Sequence, residues 1–177
     1  MEIITPRLTL RHARPEDLEA MHAVLSDPRA TEWWSTPPHA SMDETRVWLD
    51  SMIAGNAEGS DDFVIERDGQ VIGKAGFFRP PDVGYILHPD HWGLGLASEA
   101  VGAAVAHVFA TRAVDDLTAD VDPANQASIR LLEKLGFVRT GFAERTWNIG
   151  GEWEDSVFFG LNRQAWTGRT QASAVRS

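Results

Sequence analysis

The chain has 177 residues, no cysteine and a formal net charge of −10, from 26 acidic against 16 basic residues. This length suits one domain with a substantial core, and the absence of cysteine excludes disulfides, thiolate metal sites and a cysteine nucleophile. The acidic balance argues against a nucleic-acid partner, because nucleic-acid binding needs a basic face. Since no apolar run approaches the roughly 20 residues of a membrane span and residues 1–11 lack the apolar middle of a signal peptide, we expect a cytoplasmic protein with no membrane partner.

The N-terminal part predicts a strand followed by two helices. Residues 3–11 alternate polar and apolar side chains, which is typical of a half-buried strand. Pro15 precedes two acidic residues and suits the first turn of a helix. Ser41 with Glu44 three residues later is a capping-box signature, so a second helix is predicted from this point.

Three strands are predicted next. Residues 63–78 contain two apolar runs on either side of Asp68-Gly69, a dipeptide that suits the positive φ angles of a tight hairpin. Two prolines interrupt the pattern, and residues 82–87 then form the third strand of the series.

The remaining elements alternate between helix and strand before a final hairpin. A helical stripe begins at Leu96, a strand covers 117–121, and a second helix runs from the N-cap Asn125 to Gly136. The chain then predicts two strands that turn at 150–151. The order indicates an α/β fold, a mixed sheet with helices on both faces, in one domain over 1–162, whereas 163–177 lack periodicity and are predicted to be a frayed tail.

The stretch WGLGLAS, residues 92–98, places glycines where a strand leads into a helix. Such a turn exposes backbone N–H groups that can hold an anion. A P-loop is excluded because no Lys-Ser/Thr pair follows at the required spacing, and a dinucleotide fingerprint lacks its third glycine, since Ser98 stands there. A simple turn before a buried helix remains the alternative at this point.

Two ordered blocks resolve that choice by resemblance. Residues 92–97 (WGLGLA) are similar to the R-G-x-G-x-[GA] loop of the GNAT family of acetyl-CoA-dependent N-acetyltransferases, with Trp92 in place of Gln or Arg. Residues 125–137 (NQASIRLLEKLGF) resemble the N-x-x-S-x-x-x-L-x-K-x-G-F pattern of its RimJ/RimL-like branch, which includes ribosomal-protein alanine acetyltransferases. The resemblance covers about 5–162 and extends to four further segments, TPRLTLR, GYIL, ASEA and DSVFFGL.

The resemblance implies the acyl-CoA N-acyltransferase fold, with about seven mostly antiparallel strands, and acetyl-CoA as cosubstrate without a metal. In this family two strands separate, so backbone groups near Ile86 and Leu87 would face the pantetheine arm. The N–H groups of the loop would hold the pyrophosphate at a helix N-terminus. The residues of the loop are Trp92, Gly93, Leu94, Gly95, Leu96, Ala97 and Ser98.

The helix after 117–121 is implied to contribute further cofactor contacts. Asn125 would reach the pantetheine, cap its own helix, or do both. Arg130 and Lys134 lie one turn apart and either meet the nucleotide phosphates or form a solvated face.

A leaving thiolate needs a proton donor, which in many family members is a tyrosine on this helix. Leu132 occupies that position here, and Tyr85 is the only tyrosine of the chain. Ser128 lies one turn before Leu132 on the same helix face. The resemblance makes Ser128 the expected donor beside the sulfur, with a plain helix-start role as the alternative.

The nucleophile must be a neutral amine. At pH 7 a lysine-type amine is uncharged in only about one molecule in 2,500, against about one in ten for an α-amine. A strongly basic acceptor therefore needs a base, and Asp82 is our candidate, acting through water. Glu99 matches the motif but is expected to order the loop, and His88 and His91 near the loop are interpreted as exposed residues.

The acceptor site is expected among the early helices. Trp33, Trp34 and Tyr85 are our candidate substrate residues, since a tryptophan pair can hold a cationic amine over its rings. Core packing of the loop between the two helices is the alternative for the tryptophans.

Together these features predict an enzyme that moves acetyl from acetyl-CoA directly to a primary amine, either a protein N-terminus or a small molecule. The alternative is a catalytically degenerate acyl-CoA-binding sensor, and a different acyl group such as succinyl stays open. Homodimers are common among similar proteins and are implied here as well.

Overall fold

The computed structural model describes residues 1–167, in which eight strands and four helices follow one another along the chain. Their bounds are β1 (Glu2–Ile4), β2 (Thr9–Arg11), α1 (Leu18–Leu25), α2 (Met42–Ala57), β3 (Asp61–Arg67), β4 (Gln70–Arg79), β5 (Asp82–Leu87), α3 (Leu96–Thr111), β6 (Asp116–Val121), α4 (Gln126–Leu135), β7 (Val138–Ile149) and β8 (Glu152–Asn162). Short 3-10 turns at Pro15–Asp17 and Pro89–His91 precede α1 and the loop before α3.

The strands form one mixed sheet in the order β1-β2-β3-β4-β5-β6-β8-β7. Every neighbouring pair is antiparallel except β5 and β6, which run parallel. The α/β class, the mostly antiparallel sheet and the terminal hairpin are therefore confirmed, with eight strands where about seven were expected.

Residues 3–11 were predicted as one strand, and this prediction is wrong. They form β1 and β2, which pair with each other through the register Ile3↔Leu10. The alternation of polar and apolar side chains is the same on both sides of a tight reversal, so periodicity alone does not reveal the turn. Thr5 closes the turn, because its N–H donates to the Leu8 carbonyl and its hydroxyl oxygen accepts from the Leu8 N–H.

The sheet carries helices on both faces because its strands alternate their apolar side chains. On β3, Phe63 and Ile65 point into a core shared with α3 and α4, whereas Val64 points into a second core shared with α1 and α2. On β5, Val83, Tyr85 and Leu87 face α3 and α4, and Ile86 faces the other side. The two cores therefore assign each strand residue to one side of the molecule.

The predicted helix-terminal signals act as expected. Ser41 caps α2 by accepting from the Glu44 N–H at 3.3 Å. Asn125 caps α4 by accepting from the Ser128 N–H at 3.1 Å, and Gly136 ends that helix with a φ of 99°. These caps fix where the side chains of α4 begin relative to the sheet.

The predicted tail divides into two parts. Residues 163–167 form a helical turn, and the Arg163 side chain donates to the carbonyls of Phe109, Arg112 and Val114 at the end of α3. The rest of the predicted tail, 168–177, lies outside the described residues. Within residues 1–167, no helix combines the length and the apolar character that a bilayer span requires.

Candidate active site

A gap opens between β5 and β6, the two parallel strands at the centre of the sheet. Their ladder consists of one pair, Asp82↔Thr118, next to a hydrogen bond from the Thr118 N–H to the Pro81 carbonyl at 3.0 Å. From Val83 onward, β5 has no ladder to β6 within the described residues, although it stays paired with β4 as far as Leu87. The backbone of Ile86 and Leu87 therefore lies along the open part of the gap.

The glycine loop lies directly beyond the C-terminal end of β5. Gly93 and Gly95 have φ angles of 73° and 74°, a left-handed conformation in which glycine avoids the Cβ penalty. Gly95 is the N-cap of α3 and supplies no side-chain cap. Within residues 1–167, the N–H groups of residues 93–98 have no acceptor, and the first helical N–H to be satisfied is that of Glu99. The loop thus presents free donors together with the positive end of the α3 dipole.

Glu99 and Arg7 hold this loop in place. The Glu99 carboxylate accepts from the Thr5 hydroxyl at 2.6 Å and from the Arg7 N–H at 3.0 Å and Nε at 2.7 Å. Arg7 in turn donates from Nη1 to the Leu94 carbonyl at 2.8 Å. Burial opposes ionisation of Glu99, but the hydrogen bonds from Thr5 and Arg7 outweigh it and lower its pKa. The expectation that Glu99 orders the loop agrees with this geometry.

Trp92 stands where the family pattern has Gln or Arg. Its indole N–H donates to the Leu87 carbonyl at 2.9 Å, while the ring itself is exposed. The tryptophan therefore fastens the first loop residue to the end of β5. Its role at this position is structural, whereas the family pattern has a polar side chain there.

Ser128 and Tyr85 meet across the gap, from α4 and from β5. Their hydroxyl groups are hydrogen-bonded to each other. Burial raises the pKa of Tyr85 to about 12, although the bond to Ser128 works in the opposite direction. Tyr85 therefore stays protonated near neutral pH. Leu132, at the position of the family tyrosine, is fully buried in the core and offers no polar group.

The other predicted residues of α4 divide by exposure. Asn125 caps the helix, as described, and lies half-buried. Arg130 and Lys134 lie exposed one turn apart. Their placement suits either of the two roles considered for them, a phosphate contact or a solvated face.

A cavity of about 340 Å³ lies on the α1 and α2 side of the sheet. Its lining consists of Trp34, Ser35, Trp48, Ser51, Met52, Asp62, Lys74 and Phe78. A neighbouring cavity of about 240 Å³ shares Lys74 and Phe78 and extends to β5 through Arg79, Asp82, Val83 and Gly84. Together the two cavities extend from the aromatic side chains of Trp34 and Trp48 to β5, the strand that borders the gap. The larger one is called the aromatic cavity below.

The three predicted substrate residues are not brought together. Trp34 lines the larger cavity, whereas Trp33 is 41% exposed and lies outside its lining. Tyr85 faces the opposite side of the sheet, because odd-numbered residues of β5 point toward α3 and α4. Its hydroxyl is hydrogen-bonded to Ser128, and Tyr85 does not line the aromatic cavity.

Asp82 lies at the closed end of the gap, where β5 and β6 are still paired. Its carboxylate accepts from the Thr118 hydroxyl and lines the smaller cavity. His88 and His91, expected to be exposed, are half-buried in the turn after β5, with ring centroids 6.2 Å apart. Burial lowers the pKa of His91, so its ring is mostly neutral at pH 7.

Sequence reasoning missed a buried ion pair in the larger cavity. Lys74 on β4 and Asp62 on β3 are 4% and 2% exposed, and Nζ lies 2.7 Å from Oδ1 and 3.0 Å from Oδ2. The signal was present in VIGKAGFF, where one lysine interrupts an apolar run, because a buried charge requires a partner. The predicted strand began at Phe63, which left Asp62 outside it.

Comparison with known proteins places this geometry in a family. Residues 7–138 match the acetyltransferase (GNAT) domain, and the chain belongs to the GNAT acetyltransferase family. It is an N-acetyltransferase by that membership. No group of three or more His, Cys, Asp or Glu side chains suited to a metal ion occurs within residues 1–167.

Individual relatives share most of the chain. An uncharacterized N-acetyltransferase p20 of Bacillus licheniformis is 29% identical over 175 residues, covering 94% of this chain and 98% of its own. Spermidine N(1)-acetyltransferase of Escherichia coli K12 is 26% identical, covering 84% and 82%. The solved structure of RimL, the ribosomal L7/L12 alpha-N-protein acetyltransferase, in complex with coenzyme A has a TM-score of 0.81 at 20% identity, covering 93% and 99%. That likeness shows the shared fold.

Proposed function

We propose that this enzyme transfers the acetyl group of acetyl-CoA directly to a primary amine, with no covalent enzyme intermediate. The observation that carries the proposal is the gap between β5 and β6, which has free N–H donors at its open end and a serine hydroxyl within it. A thioester-bearing nucleotide fits this arrangement because its pyrophosphate and its reactive end need two sites separated by an extended arm.

Coenzyme A binds through the open end of the gap. The free N–H groups of residues 93–98 and the α3 dipole favour the pyrophosphate. The backbone of Ile86 and Leu87 faces the pantetheine arm, with Asn125 on the other side. Arg130 and Lys134 meet the nucleotide phosphates from the exposed face of α4.

The reaction forms a C–N bond and breaks the C–S bond. The amine nitrogen attacks the thioester carbon, and backbone N–H groups of β5 stabilise the oxygen that becomes negative. As the C–S bond breaks, the departing thiolate accepts a hydrogen bond from the Ser128 hydroxyl, and Tyr85 holds that hydroxyl in position by its own hydrogen bond. A thiolate with a pKa near 8.5 needs only modest help from such a donor.

The proton released by the amine passes through water to Asp82. This carboxylate lines the cavity that borders β5 and is exposed, so water reaches it. The acceptor enters from the aromatic cavity on the same side of the sheet, with Trp34 as part of its wall. Trp33, its neighbour in the chain, is exposed.

The proposal includes membership of the RimJ/RimL-like branch, which the motif over 125–137 supports, and a cytoplasmic location. A homodimer is the proposed assembly, with the β7–β8 hairpin at the contact. β7 is an edge strand, and Phe142, Trp147 and Trp153 of this hairpin are large, exposed apolar residues. We expect the wild type to sediment as a dimer and Phe142→Ser to sediment as a monomer.

The decisive experiment measures binding and turnover separately. Calorimetry with coenzyme A tests the gap, and thiol release from acetyl-CoA with a panel of amines and N-terminal peptides tests the transfer. Binding followed by turnover supports the enzyme. Coenzyme A binding without turnover on any amine would favour the sensor, and succinyl-CoA run in parallel tests the acyl group.

A further inference from the structure

The charges that line the acceptor region balance one another. Asp62 and Lys74 are the charged residues of the larger cavity, and Lys74, Arg79 and Asp82 are those of the smaller one, among the residues that the structure describes. Two carboxylates thus face two cations over the joined cavities. The chain as a whole carries a net charge of −10, so this local neutrality is not a property of its general surface.

Lys74 occupies the position that a cationic ligand would take. Its ammonium lies within 3.0 Å of both Asp62 oxygens and 5.7 Å from the centroid of the Trp34 ring. The carboxylate and the Trp34 face both attract cations. Both are already engaged by a side chain of the protein itself.

The same ammonium lies close to the reacting strand. A Cβ placed on Gly84 of β5 would be 3.7 Å from Lys74 Nζ. An acceptor amine that approaches β5 from the aromatic cavity therefore passes a fixed positive charge. Because the Asp62 carboxylate is already paired with Lys74, it does not balance the charge of a second ammonium, and the neutral amine, which is the nucleophile, is favoured there.

Two buried polar atoms of residues that line the larger cavity lack a hydrogen-bond partner within residues 1–167. Asp62 Oδ1 touches Lys74 side-on, without hydrogen-bond geometry, and has no other partner within residues 1–167. Trp34 Nε1 is buried at the wall and is likewise without a partner there. A neutral N–H can donate to the first atom, and a carbonyl oxygen can accept from the second, without adding net charge.

We propose that the Asp62–Lys74 pair makes the acceptor site selective for weakly basic amines on an apolar body, and that it excludes polyamines. This inference rests on the proposed function, because it assigns the acceptor class of the same site. The ligand that fits this site has an amine next to a carbonyl group and an aromatic ring. The ring would lie between Trp34, Trp48 and Phe78. The selectivity differs from that of the E. coli relative named for spermidine.

The first experiment compares three amines on the wild-type enzyme loaded with coenzyme A. Phenylalanine amide and phenethylamine share a ring and an amine but differ in basicity, and spermidine carries several charges. By calorimetry at pH 7 we expect phenylalanine amide to bind at least about tenfold more tightly than either of the other two, the difference that one charged hydrogen bond makes. Equal or tighter binding of spermidine overturns the proposal.

The second experiment removes the ammonium that is paired with the Asp62 carboxylate. Lys74→Gln leaves Asp62 unpaired, so spermidine should bind about tenfold more tightly than to the wild type. Lys74→Arg keeps the cation and should not raise spermidine affinity, and Asp62→Asn with Lys74→Gln should abolish the gain. A gain of binding is not a consequence of misfolding, and coenzyme A affinity with thermal unfolding verifies that each variant is folded.

The outcomes separate this inference from the proposed function. If the amines bind with the expected order but no thiol is released, acetyl transfer is refuted and the selectivity stands. If turnover occurs and folded Lys74→Gln fails to gain spermidine affinity, the role of the ion pair is refuted and the transfer stands. If a variant does not fold, the wild-type comparison decides alone.

Discussion

The hydroxyl of Tyr85 on β5 is hydrogen-bonded to the hydroxyl of Ser128 on α4, so the only tyrosine of the chain orients the serine that lies in the gap. Replacing Ser128 by alanine should lower kcat by about a hundredfold, the low end of the range for a proton donor, and leave the KM for acetyl-CoA within about twofold, since uniform binding is unaffected. Ser128→Thr keeps the hydroxyl and should retain most of the rate. Unchanged turnover in Ser128→Ala would refute the donor role.

Tyr85 gives a pH-dependent prediction. Burial raises its pKa to about 12, so between about pH 10 and that value the unfolded chain loses the proton while the folded chain keeps it. Stability should therefore fall as pH rises through this window, and less so in Tyr85→Phe. Because the chain has one tyrosine, tyrosinate absorbance follows this group alone. Titration near pH 10 in the folded protein would contradict the burial argument.

Removing the charge of Glu99 should loosen the glycine loop. Glu99→Gln is expected to destabilise the fold by about 1 kcal/mol and to weaken coenzyme A binding several-fold, because hydrogen bonds to charged groups are lost. Since its pKa is lowered in the folded state, this stabilisation is present above about pH 4.5 and disappears as pH falls below that value. Glu19→Gln, also in the first turn of a helix but without such bonds, is the matched control for denaturation and calorimetry.

A side chain at Gly95 should strain the glycine loop. Gly95→Ala forces a Cβ into a left-handed conformation with φ of 74° and is expected to cost about 1–2 kcal/mol. It should also weaken coenzyme A binding at least about tenfold, since the strain falls on the donors of the loop. Gly69→Ala, at φ of 80° in the β3–β4 turn, should cost similar stability and leave binding intact. Equal binding losses in both variants would show a general effect of instability.

Asp82 is tested through the basicity of the acceptor. Asp82→Asn should lower kcat/KM by about ten- to a hundredfold for a strongly basic amine and less for a weakly basic one, because the latter is already partly neutral at pH 7. Asp50→Asn, on the exposed face of α2, is the control. Identical losses on both acceptors would argue against a base and for a structural role of the bond from Thr118.

The fold was accessible from the sequence where local chemistry decides the outcome. Asn125 and Gly136 bound α4 because cap side chains and left-handed glycines act within a few residues. The reversal between β1 and β2 escaped notice because alternation continues through it. Residue type and spacing thus predict a tight return where a turn dipeptide such as Asp68-Gly69 marks it, and miss one where alternation continues unbroken.

Much of the site depends on distances that no local pattern contains. The Tyr85–Ser128 bond joins residues 43 positions apart, and it exists because β5 and α4 meet across the gap. Asp62 and Lys74 pair across the β3–β4 hairpin, and the register of that hairpin includes a bulge between Ile65 and Glu66. The glycine loop was predictable because all its donors lie within seven consecutive residues.

The sheet consists of two half-sheets, β1 to β5 and β6 to β8, and their backbones are joined by little more than the pair Asp82↔Thr118. One hydrophobic core underlies both halves through α3 and α4. The angle between the two half-sheets is consequently set by side-chain packing in this core and not by backbone hydrogen bonds between β5 and β6. A volume change at Val105 or Leu117, whose side chains lie in this core, would therefore change the width of the gap.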